Sequence, residues 1–118
     1  MSAAPSILEL LDVVVNEGGS DLHISVGSPP IIRVSGSLVP LLQHPVLTPA
    51  DTEAMLKQMA PKEIWDSFTV NRAIDFSFAH AEKARFRVNG YQVQGSITIA
   101  LRLIPHEIRT FASLNLPP

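Results

Sequence analysis

Apolar residues change their spacing along the chain, and each change marks a different kind of element. Ile7, Leu10, Leu11 and Val14 recur at helical intervals, with Leu8 and Val15 widening the stripe and Glu9, Asp12 and Glu17 off its centre. This predicts an amphipathic helix ending at Gly18-Gly19. Its polar face is acidic, which suits packing on a core and not on a membrane surface. The segment Asp21-Leu22-His23-Ile24-Ser25-Val26 then alternates polar and apolar, as a half-buried strand does, until Gly27-Ser28-Pro29-Pro30 interrupts it. Ile31-Ile32-Arg33-Val34 predicts a second strand, and Ser35-Gly36-Ser37 a turn into the apolar run Leu38-Val39-Pro40-Leu41. Together these read as a small antiparallel meander.

Thr48 as a cap, Pro49 at the first helical position and Asp51 near the positive end of the dipole announce a second helix. Its apolar positions are Met55, Leu56 and Met59. Pro61 breaks it and starts a short helix through Phe68 that carries Ile64 and Trp65. The methionines and tryptophan read as core packing. From Arg72 onward the period becomes two: Ile74, Phe76 and Phe78 share one face, and Asp75, Ser77 and Ala79 the other. His80 to Lys83 supplies a mostly polar turn. Two more strands run through Arg85–Asn89 and Ser96–Leu103, the latter stopped by Pro105. With no internal repeat or low-complexity tract, the pattern predicts a single α+β domain, helices packed on an antiparallel sheet.

At 118 residues, 46% hydrophobic and 17% charged, the chain is sized and composed as one globular domain, not a disordered tail. The absence of cysteine excludes disulfides, thiolate zinc sites and cysteine nucleophiles. The opening residues lack a positive leader and carry Glu9 and Asp12 inside the apolar stretch, so neither a signal peptide nor a membrane crossing is expected. The net charge of −2 conceals an asymmetry. Residues 1–70 hold three basic and eight acidic groups, whereas 71–118 hold six basic and three acidic. The second part is thus the better place for an anionic ligand, although the basic excess is too sparse for a nucleic-acid face.

Alternation places Arg85, Arg87 and Asn89 on one face of their strand and Phe86 and Val88 on the other. A two-residue turn at Gln94-Gly95 would set Arg87 directly across from Arg102. Opposed like charges repel, so sheet stability does not recommend the arrangement. An anion between them would, because guanidinium donors lie in a plane that matches phosphate oxygens. The alternative is that each arginine is solvated or paired with a carboxylate such as Asp75. His23, His44, His80 and His106 form no compact ligand motif. Asp21 and His23 share a strand face, but no nucleophile accompanies them, and they read as surface or turn-organising groups. No G-x-x-x-x-G-K-[ST], G-x-G-x-x-G or G-x-S-x-G occurs.

Several segments, in order, resemble the N-terminal domain of PilT-like retraction ATPases, within the type II secretion and type IV pilus motor family. They are Gly19-Ser20-Asp21-Leu22-His23-Ile24-Ser25; Gly27-Ser28-Pro29-Pro30 with Arg33-Val34 and Gly36; Asp75-Phe76-Ser77-Phe78; Ala84-Arg85-Phe86-Arg87-Val88-Asn89; Arg102-Leu103-Ile104-Pro105; and Leu114-Asn115-Leu116-Pro117. The resemblance implies a PAS-like α+β domain over residues 1–113, with 114–118 beginning a linker to a RecA-like ATPase domain. It further implies packing against that domain of the same and neighbouring subunits in a cytoplasmic homohexamer, engaged with an inner-membrane pilus platform protein and driving pilus retraction and twitching motility. By the same resemblance, Arg87 and Arg102, with Arg85 as a third, would contact ATP phosphates that the following domain mainly holds, with Mg, and this chain alone would neither hold nucleotide tightly nor turn it over. Where retraction ATPases often carry Gln-Arg-Gly-Ser, this chain has Val93-Gln94-Gly95-Ser96. A stand-alone PAS-like ligand-sensing or protein-interaction module would instead need an apolar internal cavity. A small enzyme using Asp21, His23 or Asp75 would need a concave site with a strongly shifted titrating group.

Overall fold

In the computed structural model, residues 6–80 and 84–104 are described. Helix α1 (Ile7–Glu17) begins where Ser6 closes a capping box: its hydroxyl accepts from the Leu8 N–H, and its own N–H donates to the Glu9 carboxylate at 3.0 Å. Gly18, at φ 72°, takes the left-handed conformation that ends it. The predicted stripe of Ile7, Leu10, Leu11 and Val14 is fully buried, each side chain contributing about 1.5–3 kcal/mol of burial. Strands β1 (Gly19–Ile24), β2 (Ile31–Val34) and β3 (Ser37–Pro40) form the expected antiparallel meander.

Helix α2 (Pro49–Met59) starts as the sequence predicts, with Thr48 and Asp51 exchanging side-chain and backbone hydrogen bonds and Pro49 in the first turn. Helix α3 runs from Lys62 to Asn71, longer than the predicted Pro61–Phe68 segment. Arg72 therefore does not open the following strand. It caps α3 with φ 67°, its N–H bonding the Phe68 carbonyl at 2.7 Å. Strands β4 (Ala73–His80), β5 (Ala84–Val93) and β6 (Ser96–Ile104) complete a six-stranded antiparallel sheet in the order β3-β2-β1-β6-β5-β4.

The helices cover one face of this sheet, α1 against β1, α2 against β6 and α3 against β4. Their apolar sides meet Leu22, Ile24, Phe86, Val88, Ile97, Ile99 and Leu101 in one buried cluster. Gly90 marks the closest approach, since a Cβ there would lie 3.2 Å from the Leu56 Cδ2 of α2. This is the α+β arrangement expected from the sequence. The expected linker at 114–118, the stop at Pro105 and the turn at 81–83 lie outside the described residues.

His80 departs from expectation. It closes β4 instead of opening a turn, sits 8% exposed on the same strand face as Ile74, Phe76 and Phe78, and places Nε2 2.7 Å from Asp12 Oδ1 of α1.

Candidate functional site

The β5–β6 hairpin turns through Gln94 (φ 53°) and Gly95 (φ 82°), between the paired residues Val93 and Ser96. Two successive left-handed residues match the twist of antiparallel strands, which pins the register. Counting back from that turn, Arg87 pairs with Arg102. The pairing extends across the whole sheet as Ser77, Arg87, Arg102, Asp21, Arg33 and Leu38, one residue from each strand. These residues occupy the face away from the helices, because their strand neighbours Phe86, Leu101 and Leu22 are buried in the core.

The two guanidiniums are drawn apart. Arg87 leans toward β4, where its Nε and Nη2 donate to the two oxygens of Asp75 at 3.2 and 2.6 Å. Arg102 leans toward β1, where its Nε donates to Asp21 Oδ2 at 3.3 Å. Between them lies a concavity of about 380 Å³, with Ala100 at its floor, Asn89 and His23 paired to Ala100 from either side, and Asp21, Arg87 and Arg102 also lining it. Arg85, on the same face of β5, reaches the Ser77 hydroxyl at 3.4 Å and does not line the concavity.

The two carboxylates differ in setting. Asp75 is half exposed, and the Arg87 guanidinium holds its carboxyl below the usual value. Asp21 is 9% exposed; burial pushes its carboxyl up, but hydrogen bonds from Ser20 (Oγ–Oδ1, 2.6 Å) and Arg102 outweigh that and leave it below the usual value. Arg87 is correspondingly held above the usual arginine value by Asp75. The sequence presents Asp21 as a surface or turn group, whereas in the fold it is a buried anchor. Its pairing with Arg102 spans 81 residues of sequence and leaves no local signature.

With both carboxylates engaged by arginine, and with Asn89 and His23 each able to turn a donor N–H inward, the concavity suits an anion rather than a cation. Among the described residues no three His, Asp or Glu side chains gather as a metal-binding group.

No family model matches the chain. It is 34% identical over 110 residues to the type IV pilus retraction ATPase PilT of Pseudomonas aeruginosa, a match covering 93% of the chain and 32% of that relative. Against the type IV pilus ATPase PilU of the same organism it is 32% identical over 109 residues, covering 92% of the chain and 28% of PilU. A crystal structure of the pilus retraction motor PilT with bound ADP superposes on 96% of the chain, and on 33% of its own length, with a TM-score of 0.83 and 35% identity. The chain is a homologue of the N-terminal domain of PilT-like ATPases. The Legionella pneumophila ATPase DotB shares the fold, with a TM-score of 0.73 at 22% identity over 99% of the chain and 34% of its own. The chain thus spans about a third of the length of the curated relatives it matches.

For this PilT-like domain, sequence reasoning singles out Arg87 and Arg102, and the structure brings them together across one strand pair. It misses Ser20 and Asp21 as supports, and Asn89 and His23 as walls. The signal for Asn89 was present, since it shares the parity of Arg85 and Arg87 on β5. Among the described residues no helix is long and apolar enough to cross a membrane.

Proposed function

We propose that this chain is the N-terminal domain of a cytoplasmic type IV pilus motor ATPase and that Arg87 and Arg102 contact the phosphates of bound ATP. The observation that carries the reading is the Arg87–Arg102 pairing on the open sheet face. The aspartates offset the repulsion of the opposed guanidiniums from their outer sides, as the carboxylate-pairing alternative expects for Asp75, and a polyphosphate lying between the two arginines would take charge-assisted hydrogen bonds from both. Their forks would stabilise charge on the phosphate oxygens, as an arginine finger does. Likeness to PilT and PilU, and to a PilT crystallised with ADP, supports nucleotide as the ligand.

In this reading the phosphate-binding loop, the attacking water and the ligands of Mg²⁺ come from a RecA-like domain that follows this one in the motor. The acids of this face are already paired with arginine and contribute no cation site. Arg85, on the same strand face but outside the concavity, serves as a third cation to the same phosphates or to a neighbouring subunit's. The domain packs between subunits of a hexamer at the inner membrane, where a platform protein couples it to pilus retraction and twitching motility.

The test is ATP turnover by the full-length motor beside its Arg87→Ala and Arg102→Ala variants. Each variant falls by about tenfold or more if an arginine that stabilises phosphate charge has been lost. Unchanged turnover in both defeats the assignment.

A further inference from the structure

The two aspartates that hold the arginines do so through different atoms. Arg102 is tied to Asp21 by Nε alone. Among the described residues its terminal nitrogens make no hydrogen bond, so the outer edge of the fork remains presented to the concavity while Nε stays anchored. Asp21 is itself fixed, 9% exposed and held by the Ser20 hydroxyl at 2.6 Å. Arg87 is different, because Asp75 takes both Nε and Nη2, the bidentate edge that a phosphate would use. That pair is open to solvent, with side-chain exposures of 61% and 46%, and its partners can separate at small cost.

We infer that Asp21 is a positioning residue that keeps Arg102 ready for an anionic ligand, whereas Asp75 is an internal competitor that Arg87 must release before it reaches the same ligand. The inference rests on the proposed phosphate contact and adds how that contact is regulated. A polyphosphate entering the concavity binds Arg102 without breaking its anchor. It then exchanges with the Asp75 carboxylate for the fork of Arg87, so closure of the second arginine depends on a ligand with enough charge to displace a carboxylate.

Two chemically identical substitutions therefore act in opposite directions. Removing one negative charge beside an anion site raises affinity through the field alone, wherever the charge sits. Asp75→Asn follows that direction and also frees the fork, lowering the KM for ATP by about two- to fivefold, the scale of an exposed ion pair. Asp21→Asn runs against the field. It releases Arg102 from its anchor and lowers kcat/KM by about tenfold, because a misplaced charge-stabilising group loses most of its effect. Ser20→Ala, which leaves both charges in place, lowers kcat/KM in the same direction by a smaller factor and covers the case in which Asp21→Asn fails to fold.

The experiment is steady-state MgATP turnover by the full-length motor with these three variants, with Arg87→Ala and Arg102→Ala, and with the doubles Asp75→Asn/Arg87→Ala and Asp21→Asn/Arg102→Ala. Asp21→Asn should cost nothing further in the Arg102→Ala background, and the Asp75→Asn gain should shrink in the Arg87→Ala background to what the field alone supplies. Shifts of the same sign for Asp75→Asn and Asp21→Asn, or an Asp75→Asn gain that is undiminished without Arg87, overturn the inference while the phosphate contact stands. If Arg87→Ala and Arg102→Ala themselves leave turnover unchanged, the proposed contact fails and the inference fails with it.

Discussion

The two faces of the same sheet are written in the same strands, one residue apart, and they do different things. On the covered face Phe86, Val88, Ile99 and Leu101 are at most 1% exposed under the helices. On the open face Arg87 and Arg102 are paired with Asp75 and Asp21 around a concavity. Stability is concentrated on the first face, because each buried side chain removes apolar area from water, whereas ion pairs open to solvent contribute little. Function can change on the second face without unfolding the first.

The sharpest way to break this comparison is to hollow the covered face. Phe86→Ala should destabilise the domain by about 3–5 kcal/mol through lost burial and a cavity, read as a large drop in melting temperature. Gly90→Val, which forces side-chain atoms against Leu56, should cost about 1–3 kcal/mol in the same melt.

Smaller effects belong to the border between the faces. The folded-state carboxyl of Asp21 lies below its usual value, so its pairing stabilises the fold above the ordinary aspartate range, near about pH 4. That contribution is lost as the pH falls through the lower folded-state value. Ser20→Ala removes a hydrogen bond that holds the value down, so it should lower stability at neutral pH by about 1 kcal/mol, with the difference from the parent shrinking as the pH falls through the titration of Asp21. Arg102→Ala, which strips a partner from the nearly buried Asp21, should cost about 1 kcal/mol, and the smallest effect on melting is expected for Arg87→Ala, whose solvent-open pair should leave the curve within experimental scatter, while ATP turnover by the full-length motor falls in both. A large melting shift in these variants would merge the two faces and remove the basis of the comparison.

What could be read from the sequence was local. The stripe of α1, the cap at Thr48 and the turn at Gln94-Gly95 each rest on neighbouring residues, and the turn alone carries the register that opposes Arg87 to Arg102. What could not be read was non-local. Nothing near Asp21 indicates that β1 would pair with β6 and bring it to Arg102. His80 shows a signal that was available but outweighed. Its parity with Ile74, Phe76 and Phe78 marks it as inward-facing, while its polarity and the residues after it suggest a turn. The half-buried contact with Asp12, 68 residues away, gives the inward-facing imidazole a polar partner that no local pattern announces. The extension of α3 to Asn71 has a similar origin, because Arg72 ends it from a left-handed conformation that a short-range pattern does not announce.

The central claim is that Arg87 and Arg102 meet nucleotide phosphate, and its most direct test is a structure of the full-length motor bound to a non-hydrolysable ATP analogue. The account predicts Arg102 still joined to Asp21 with a terminal nitrogen about 2.7–2.9 Å from a phosphate oxygen, and Arg87 turned from Asp75 toward the same phosphates. Nucleotide bound in the motor with both arginines still on their aspartates and no phosphate oxygen within about 3.5 Å of either would contradict it.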